Sequence, residues 1–259
     1  MRILHDGHAG LRFIDDEERF YLVDPYDTSG WADVKGQTAR GIWLSGGPWV
    51  DRLTGARAIL ASGAKPVVVA EPSLAGWLGD IEARDPDAGR VDGIAYTSWA
   101  YDAPVETTRG VGDKVRAALR NPRWALGRLG ARRAVPVSKP RCWRFDIDVG
   151  HRIVHLGLAL HRATPDAFVA DAAERCKGAV VIAGYLPGDA DAFVQHVLAI
   201  QPARLLLMDV VNDLRRDAGL PIEIVTPTRD RIIEAAIDAH PFVSGVSVRF
   251  EKDDTVKRW

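Results

Sequence analysis

The apolar positions of this chain fall into short runs separated by polar punctuation, and the runs recur in the same order twice. In the first cycle, Ile3 and Leu4 lead through a turn at Gly7 to Gly10 into "LRFI", a charged tip "DDEER", and "FYLVDP". Alternating runs on either side of turn residues predict a β-hairpin, here closing on Asp24 and Pro25. After a loop from Tyr26 to Arg40, "GIWL" predicts a short strand and "VDRLTGARAILASG" a helix. "KPVVVA" then reads as a buried strand, and "EPSLAGWLGDIEARD" as a helix with proline in its first turn.

The second cycle begins near Arg141. "RCWRFDID" turns at Val149 and Gly150 into "HRIVHLGLAL", again two strands meeting at a tight turn. "TPDAFVADAAERC" follows as a helix with Thr164 at its cap, "GAVVIAGYL" as a buried strand, "DADAFVQHVLAIQP" as a helix, and "ARLLLMDVV" as another buried strand. A hairpin followed by β/α units, twice over, predicts an α/β fold: a four-layer αββα sandwich of two mixed sheets flanked by helices. At 259 residues the chain suits one domain, 1–259.

One stretch breaks the pattern. Residues 103–141 carry ten Lys or Arg against Glu106 and Asp113, a basic helical insert between the two halves. Within it "VGDKVRAALRNPRWALGRLGARR" is helical but interrupted at Asn121-Pro122, with Val115, Leu119, Trp124, Leu126 and Leu129 available for an apolar stripe. Three roles are open to it: contact with an anionic membrane surface, a lid bringing arginines to an anionic substrate, or a decoration packed on the domain or a second subunit. A homo-oligomer is compatible with the last.

Composition narrows the classes. The net charge of −1 gives no global attraction to nucleic acid, and none is expected as a partner. Cys142 and Cys176 are too few for a disulfide framework and lack metal-knuckle spacing, which fits a reducing, cytoplasmic setting. The first ten residues hold no apolar core of signal-peptide length, and no stretch approaches the roughly 20 apolar residues of a membrane span.

With the duplicated hairpins in view, the chain resembles the metallo-β-lactamase fold superfamily, particularly its lactonase-like branch related to the ascorbate-6-phosphate lactonases. The resemblance rests on "HDGHAGLRF", on "LVDP" with Asp24, on "RIVHLGLAL" where members read strand-His-x-Gly-Asp, and on "ARLLLMDVV" where a strand delivers a late histidine. It implies a dinuclear metal centre whose His-x-His-x-Asp-His motif follows "GIWL". Here those slots hold Gly46, Pro48, Val50 and Asp51, the bridging aspartate falls on Leu158, and the late histidine on Asp209. A zinc-type site needs three or four N, O or S donors within about 2.0 to 2.3 Å of the ion. Glycine, proline, valine and leucine side chains supply none, and no histidine lies between His8 and His151.

The remaining candidates each have two readings. Asp51 and Asp209 are the catalytic candidates. Asp51 also suits a helix N-terminus, and Asp209 ends a buried strand where ligands bind in α/β proteins. A rewired site of Asp51, His155, His161 and Asp209 would hold one zinc or manganese; otherwise no cofactor is expected. His151 and His155 lie roughly 13 Å apart along a strand, too far to share an ion. His8 and Asp24 stand beside the cleft as ligand-binding candidates or as structural holders of their turns. His155 joins them as a ligand-binding candidate, and Arg215 and Arg216 could grip a small anionic ligand or form a solvated helix face. His196 and His240 are placed in helices without a role. The leading expectation is a non-catalytic ligand- or partner-binding protein on a hydrolase fold. The alternatives are a hydrolase of lactonase or phosphoesterase type and a membrane-surface or scaffold protein acting through the insert.

Overall fold

The computed structural model describes residues 1–26, 39–47, 51–102, 138–148, 151–185, 188–217, 226–235, 237–242, 247–250 and 256–258, with positions 115, 119, 122 and 136 between. Two sheets form. The first contains β1 (Arg2–Gly7), β2 (Gly10–Ile14), β3 (Phe20–Val23), β4 (Gly41–Trp43), β5 (Val67–Val69), β6 (Ala83–Arg84), β14 (Ser247–Phe250) and β15 (Val256–Arg258), in the order β15-β14-β1-β2-β3-β4-β5-β6. The second contains β7 (Ala88–Val91), β8 (Ile94–Ala100), β9 (Arg141–Asp148), β10 (His151–Gly157), β11 (Val180–Ala183), β12 (Arg204–Met208) and β13 (Asp238–Phe242), in the order β13-β12-β11-β10-β9-β8-β7. Both sheets are mixed, with β3 to β6 and β10 to β13 parallel and the remaining pairs antiparallel.

Helices α1 (Asp51–Ala61), α2 (Pro72–Leu78), α3 (Asp166–Cys176), α4 (Ala190–Ile200), α5 (Val210–Asp217) and α6 (Thr226–Glu234) complete the described elements. The layers follow from strand alternation. On β12, Leu206 and Met208 enter the core between the sheets, while Leu205 and Leu207 pack outward with Val194 and Val197 of α4. On β3, Tyr21 and Val23 point inward, and Phe20 and Leu22 outward with Ala56 of α1 and Leu74 of α2. Strands buried on both faces read as continuous apolar runs, which is why "VVIA" and "RLLLM" lack polar alternation. The result is the αββα sandwich that the sequence pattern predicts.

Local differences have physical causes. The helix expected over 71–85 stops at Leu78, because Gly79 adopts φ +109° and ends it. The chain then forms the edge strand β6 and the hairpin β7–β8, which turns at Asp92 (φ +48°) and Gly93. His240 lies on β13 rather than in a helix, since parallel pairing sets it opposite Leu206 and sends Phe242 into the inter-sheet core. Thr164 does not cap α3; its hydroxyl donates to the Ala159 carbonyl and accepts the His161 amide, and Pro165 occupies the cap. Arg141, the last residue of the basic stretch, opens β9. Most of 103–137 lies outside the described residues; Val115, Leu119 and Pro122 are helical.

Candidate functional site

Three sets of contacts gather the strand-end loops into one region. The His8 amide donates to Asp213 Oδ2 at 3.0 Å, joining the β1–β2 turn to α5. Trp143 Nε1 donates to Ser45 Oγ at 2.9 Å and the Arg141 amide donates to the Ser45 carbonyl at 2.8 Å, joining β9 to the loop after β4. The Gly184 amide donates to the Gly157 carbonyl, holding the ends of β10 and β11 together.

The loop after β4 is tightly held. Asp24 is fully buried at φ +47°, its amide donates to the Trp43 carbonyl, and its Oδ1 accepts the Ser45 amide at 2.7 Å. Ser45 thus has its amide, carbonyl and hydroxyl all engaged, two of them by the opposite sheet. Gly46 follows at φ +68°, and the Gly47 amide donates to Ser138 Oγ at 3.1 Å. A Cβ at position 46 would collide with Ser138 Oγ and meet Leu74 Cδ1 and the Lys139 carbonyl at 3.3 Å. The space in which a ligand side chain would start is occupied by the segment just before β9. Pro48 and Val50 lie outside the described residues. Asp51 opens α1, where an acid suits the helix dipole, and its side chain is likewise outside them.

The loop after β12 keeps its polar groups but directs them inward. Leu158 is buried in the inter-sheet core. Asp209 Oδ2 accepts Asn212 Nδ2 at 3.0 Å, and its Oδ1 is buried with no hydrogen-bond partner among the described residues. Burial raises the Asp209 carboxyl above the usual range, with the Asp213 charge adding and the Asn212 hydrogen bond opposing. Asp213, on the first turn of α5, is 4% exposed. Its Oδ2 takes the His8 amide and lies 3.8 Å from His5 Nε2, and its Oδ1 accepts Arg216 Nη1 at 2.8 Å. It therefore pins a strained turn, for Gly7, His8 and Ala9 all have positive φ, at 93°, 52° and 71°. The His8 ring stacks on Tyr26 at 3.7 Å. Of the two arginines proposed from sequence, Arg216 reaches Asp213, while the Arg215 side chain lies outside the described residues.

Sequence spacing did not reveal Ser45, Trp143 or the role of Asp213. The one local signal was the three-residue step from Asp213 to Arg216; Ser45 and Trp143 are separated by 98 residues.

The histidines of the second half go separate ways. His155 is buried on β10 between Trp143 and Ile182 in register, both in the inter-sheet core. His161 Nε2 faces the Asp102 carbonyl at 2.8 Å, and its Nδ1 accepts the Ala163 amide at 3.3 Å. A carbonyl only accepts, so Nε2 of His161 is the donor there, and both ring nitrogens are in use. Beside it opens a cavity of about 240 Å³, walled by Tyr101, Pro165, Phe168 and alanines, with Lys139 on its rim beside Asp102.

Among the described residues, the side chains do not fit a zinc-type centre. Positions 46 and 158 offer no donor atoms, His161 is committed on both nitrogens, and among the described residues no three His, Cys, Asp or Glu side chains form a metal-holding group. Among the described residues no helix is long and apolar enough to cross a membrane.

The sequence matches no protein-family model, and no curated protein matches it. Among solved structures, the fold is similar to that of Igni18, described as a novel metallo hydrolase from the hyperthermophilic archaeon Ignicoccus hospitalis KIN4/I. The match has a TM-score of 0.63 and 12% identity, and it covers 96% of this chain and 99% of that one. At that identity the likeness is one of architecture: a two-sheet α/β sandwich, consistent with a metallo-β-lactamase-like fold.

Proposed function

We propose that this chain is a non-hydrolytic member of its fold, a metal-free protein that binds a small anionic ligand. The observation that carries the reading is the filled slot at Gly46, where Ser138 and the Lys139 backbone occupy the space a metal-binding side chain would need. The turn of the hydrolase loop is kept, and hydrogen bonds from the opposite sheet replace its chemistry. The Gly-His turn and the "LVDP" stretch support descent from lactonase-like hydrolases.

The ligand site in this proposal is the cavity beside His161. Its walls are mainly apolar, which suits a compact organic body, and Lys139 brings a positive charge to the rim. Lys139 and Asp102 pair at 3.4 Å with side chains 73% and 70% exposed. An ion pair so solvated is weak, and a carboxylate or phosphate can replace Asp102 at little cost.

A rival reading, a hydrolase using one zinc or manganese, draws on the buried Asp209 Oδ1 without a hydrogen-bond partner among the described residues. Metal content separates the two. Elemental mass spectrometry of the purified protein, dialysed without chelator, is expected to give zinc, manganese, iron and nickel well below one equivalent. Chelator should leave the unfolding temperature unmoved. A near-stoichiometric metal that is lost in Asp209→Ala would establish the rival instead.

A further inference from the structure

The cavity beside His161 measures about 240 Å³ because small side chains wall it where large ones would close it: Ala100 at the end of β8, Ala159 just after β10 and Ala167 in the first turn of α3. Two rings stand against these. Tyr101 is buried, its amide donating to the Pro140 carbonyl at 2.9 Å, and Phe168 packs half-buried on the outer core. Their centroids lie 6.2 Å apart, with the planes at 55° to one another. A third flat ring stacked on one therefore presents a tilted edge to the other, and stacked and edge-on contacts are the two that aromatic pairs favour.

Two polar groups of the wall are already engaged. His161 uses Nε2 on the Asp102 carbonyl and Nδ1 on the Ala163 amide. The Thr164 hydroxyl donates to the Ala159 carbonyl and accepts the His161 amide. A sugar or another hydroxyl-rich body would give up hydrogen bonds to water on entry and find neither side chain with a proton left to donate. An apolar body loses nothing of the kind. Benzene fits an apolar cavity of about 150 Å³, so this one takes a ring with a short arm.

Building on the anion site proposed at this cavity, we infer that its ligand is a small aromatic carboxylate, a ring on a short acid-bearing arm. The ring lies against Tyr101 and Phe168, and the acid meets Lys139 on the rim. Lys139 carries its charge on a flexible stem and is mostly exposed, so it can follow the acid to the mouth while Asp102 stays in water. The rings select the body, and the lysine selects the sign of its charge.

Isothermal titration of the full chain tests this with phenylacetate, cyclohexylacetate, phenethylamine and inorganic phosphate as probes. Phenylacetate should bind about three- to tenfold more tightly than cyclohexylacetate, the margin that ring–ring contact supplies. Lys139→Gln should weaken phenylacetate about threefold and leave benzyl alcohol unchanged. Phe168→Leu should remove the preference for the aromatic acid. Ala167→Trp fills the mouth from an exposed position, so binding should fall beyond detection while the unfolding temperature holds. Phosphate binding that Ala167→Trp removes, with phenylacetate ignored, would overturn the aromatic class and leave the anion site standing. No binding of either anion that responds to Ala167→Trp would overturn both. The aromatic carboxylate is also overturned if cyclohexylacetate binds equally well, or if phenethylamine binds more tightly than phenylacetate, for then Asp102 and not Lys139 would hold the polar end.

Discussion

The loops after β4 and β12 each follow a parallel strand that is buried on both faces. They hold their polar groups in different ways. After β4 the side chains are small, Ser45, Gly46 and Gly47, and Ser138, Lys139 and Trp143 of the other half close on them. After β12 the acids Asp209 and Asp213 remain, but Asp213 is turned toward the β1–β2 backbone. One loop is small and held from outside, and the other turns an acid onto a neighbouring turn. In both loops, hydrogen bonds reaching in from other elements satisfy buried polar groups, Ser45 and Gly47 in one and the His8 amide in the other.

The most damaging way to break the first loop is from the opposite sheet. Trp143→Ala removes a fully buried ring packed against Tyr96 and Phe145, together with the bond to Ser45. Denaturant unfolding should show a loss of about 3–5 kcal/mol. Placing a histidine in the slot at position 46 should fail next. Gly46→His must adopt φ +68° and displace Ser138, costing roughly 2–3 kcal/mol without creating tight zinc binding. A stable, zinc-binding Gly46→His protein would show the slot to be open, contrary to the packing around Ser138.

On the second loop, Asp213→Ala strips the His8 amide and the Arg216 guanidinium of their shared acceptor. A loss of about 1–3 kcal/mol is expected, with faster amide exchange at His8 as the local signature. Asp213→Asn, which keeps one acceptor oxygen, should recover part of it.

The smallest effect belongs to Asp209. Its carboxyl is raised by burial, so the native state holds the proton more tightly than the unfolded chain does. That contribution is complete below the unfolded value near 3.8 and is lost as pH climbs through the higher native value. Asp209→Asn should remove this decline, raising stability at neutral pH by about half a kcal/mol. Unfolding curves of the two proteins should differ less at pH 3 than at pH 7. A variant less stable at neutral pH would assign Asp209 a charged role.

Much of this was readable in order along the chain. The runs at 178–186 and 203–211 announce strands buried on both faces, and the hairpin at 1–25 announces the first sheet. The edge strand β6 was hidden inside the stretch 71–85 read as helix, because "SLAGWLGDIEA" carries helical periodicity until Gly79 breaks it. His240 was misplaced for a related reason: β13 exists through its pairing with β12, and its own residues alternate poorly.

The sequence by itself determined the layer order and the absence of donor side chains at positions 46, 48, 50 and 158. Burial periodicity and donor chemistry belong to single residues and short windows, so they survive without coordinates. Only the tertiary structure decided what took the donors' place. The bond from His8 to Asp213 spans 205 residues and that from Trp143 to Ser45 spans 98. No local spacing encodes such pairs; two sheets must first stack, and the side chains that then face each other determine which polar groups are satisfied.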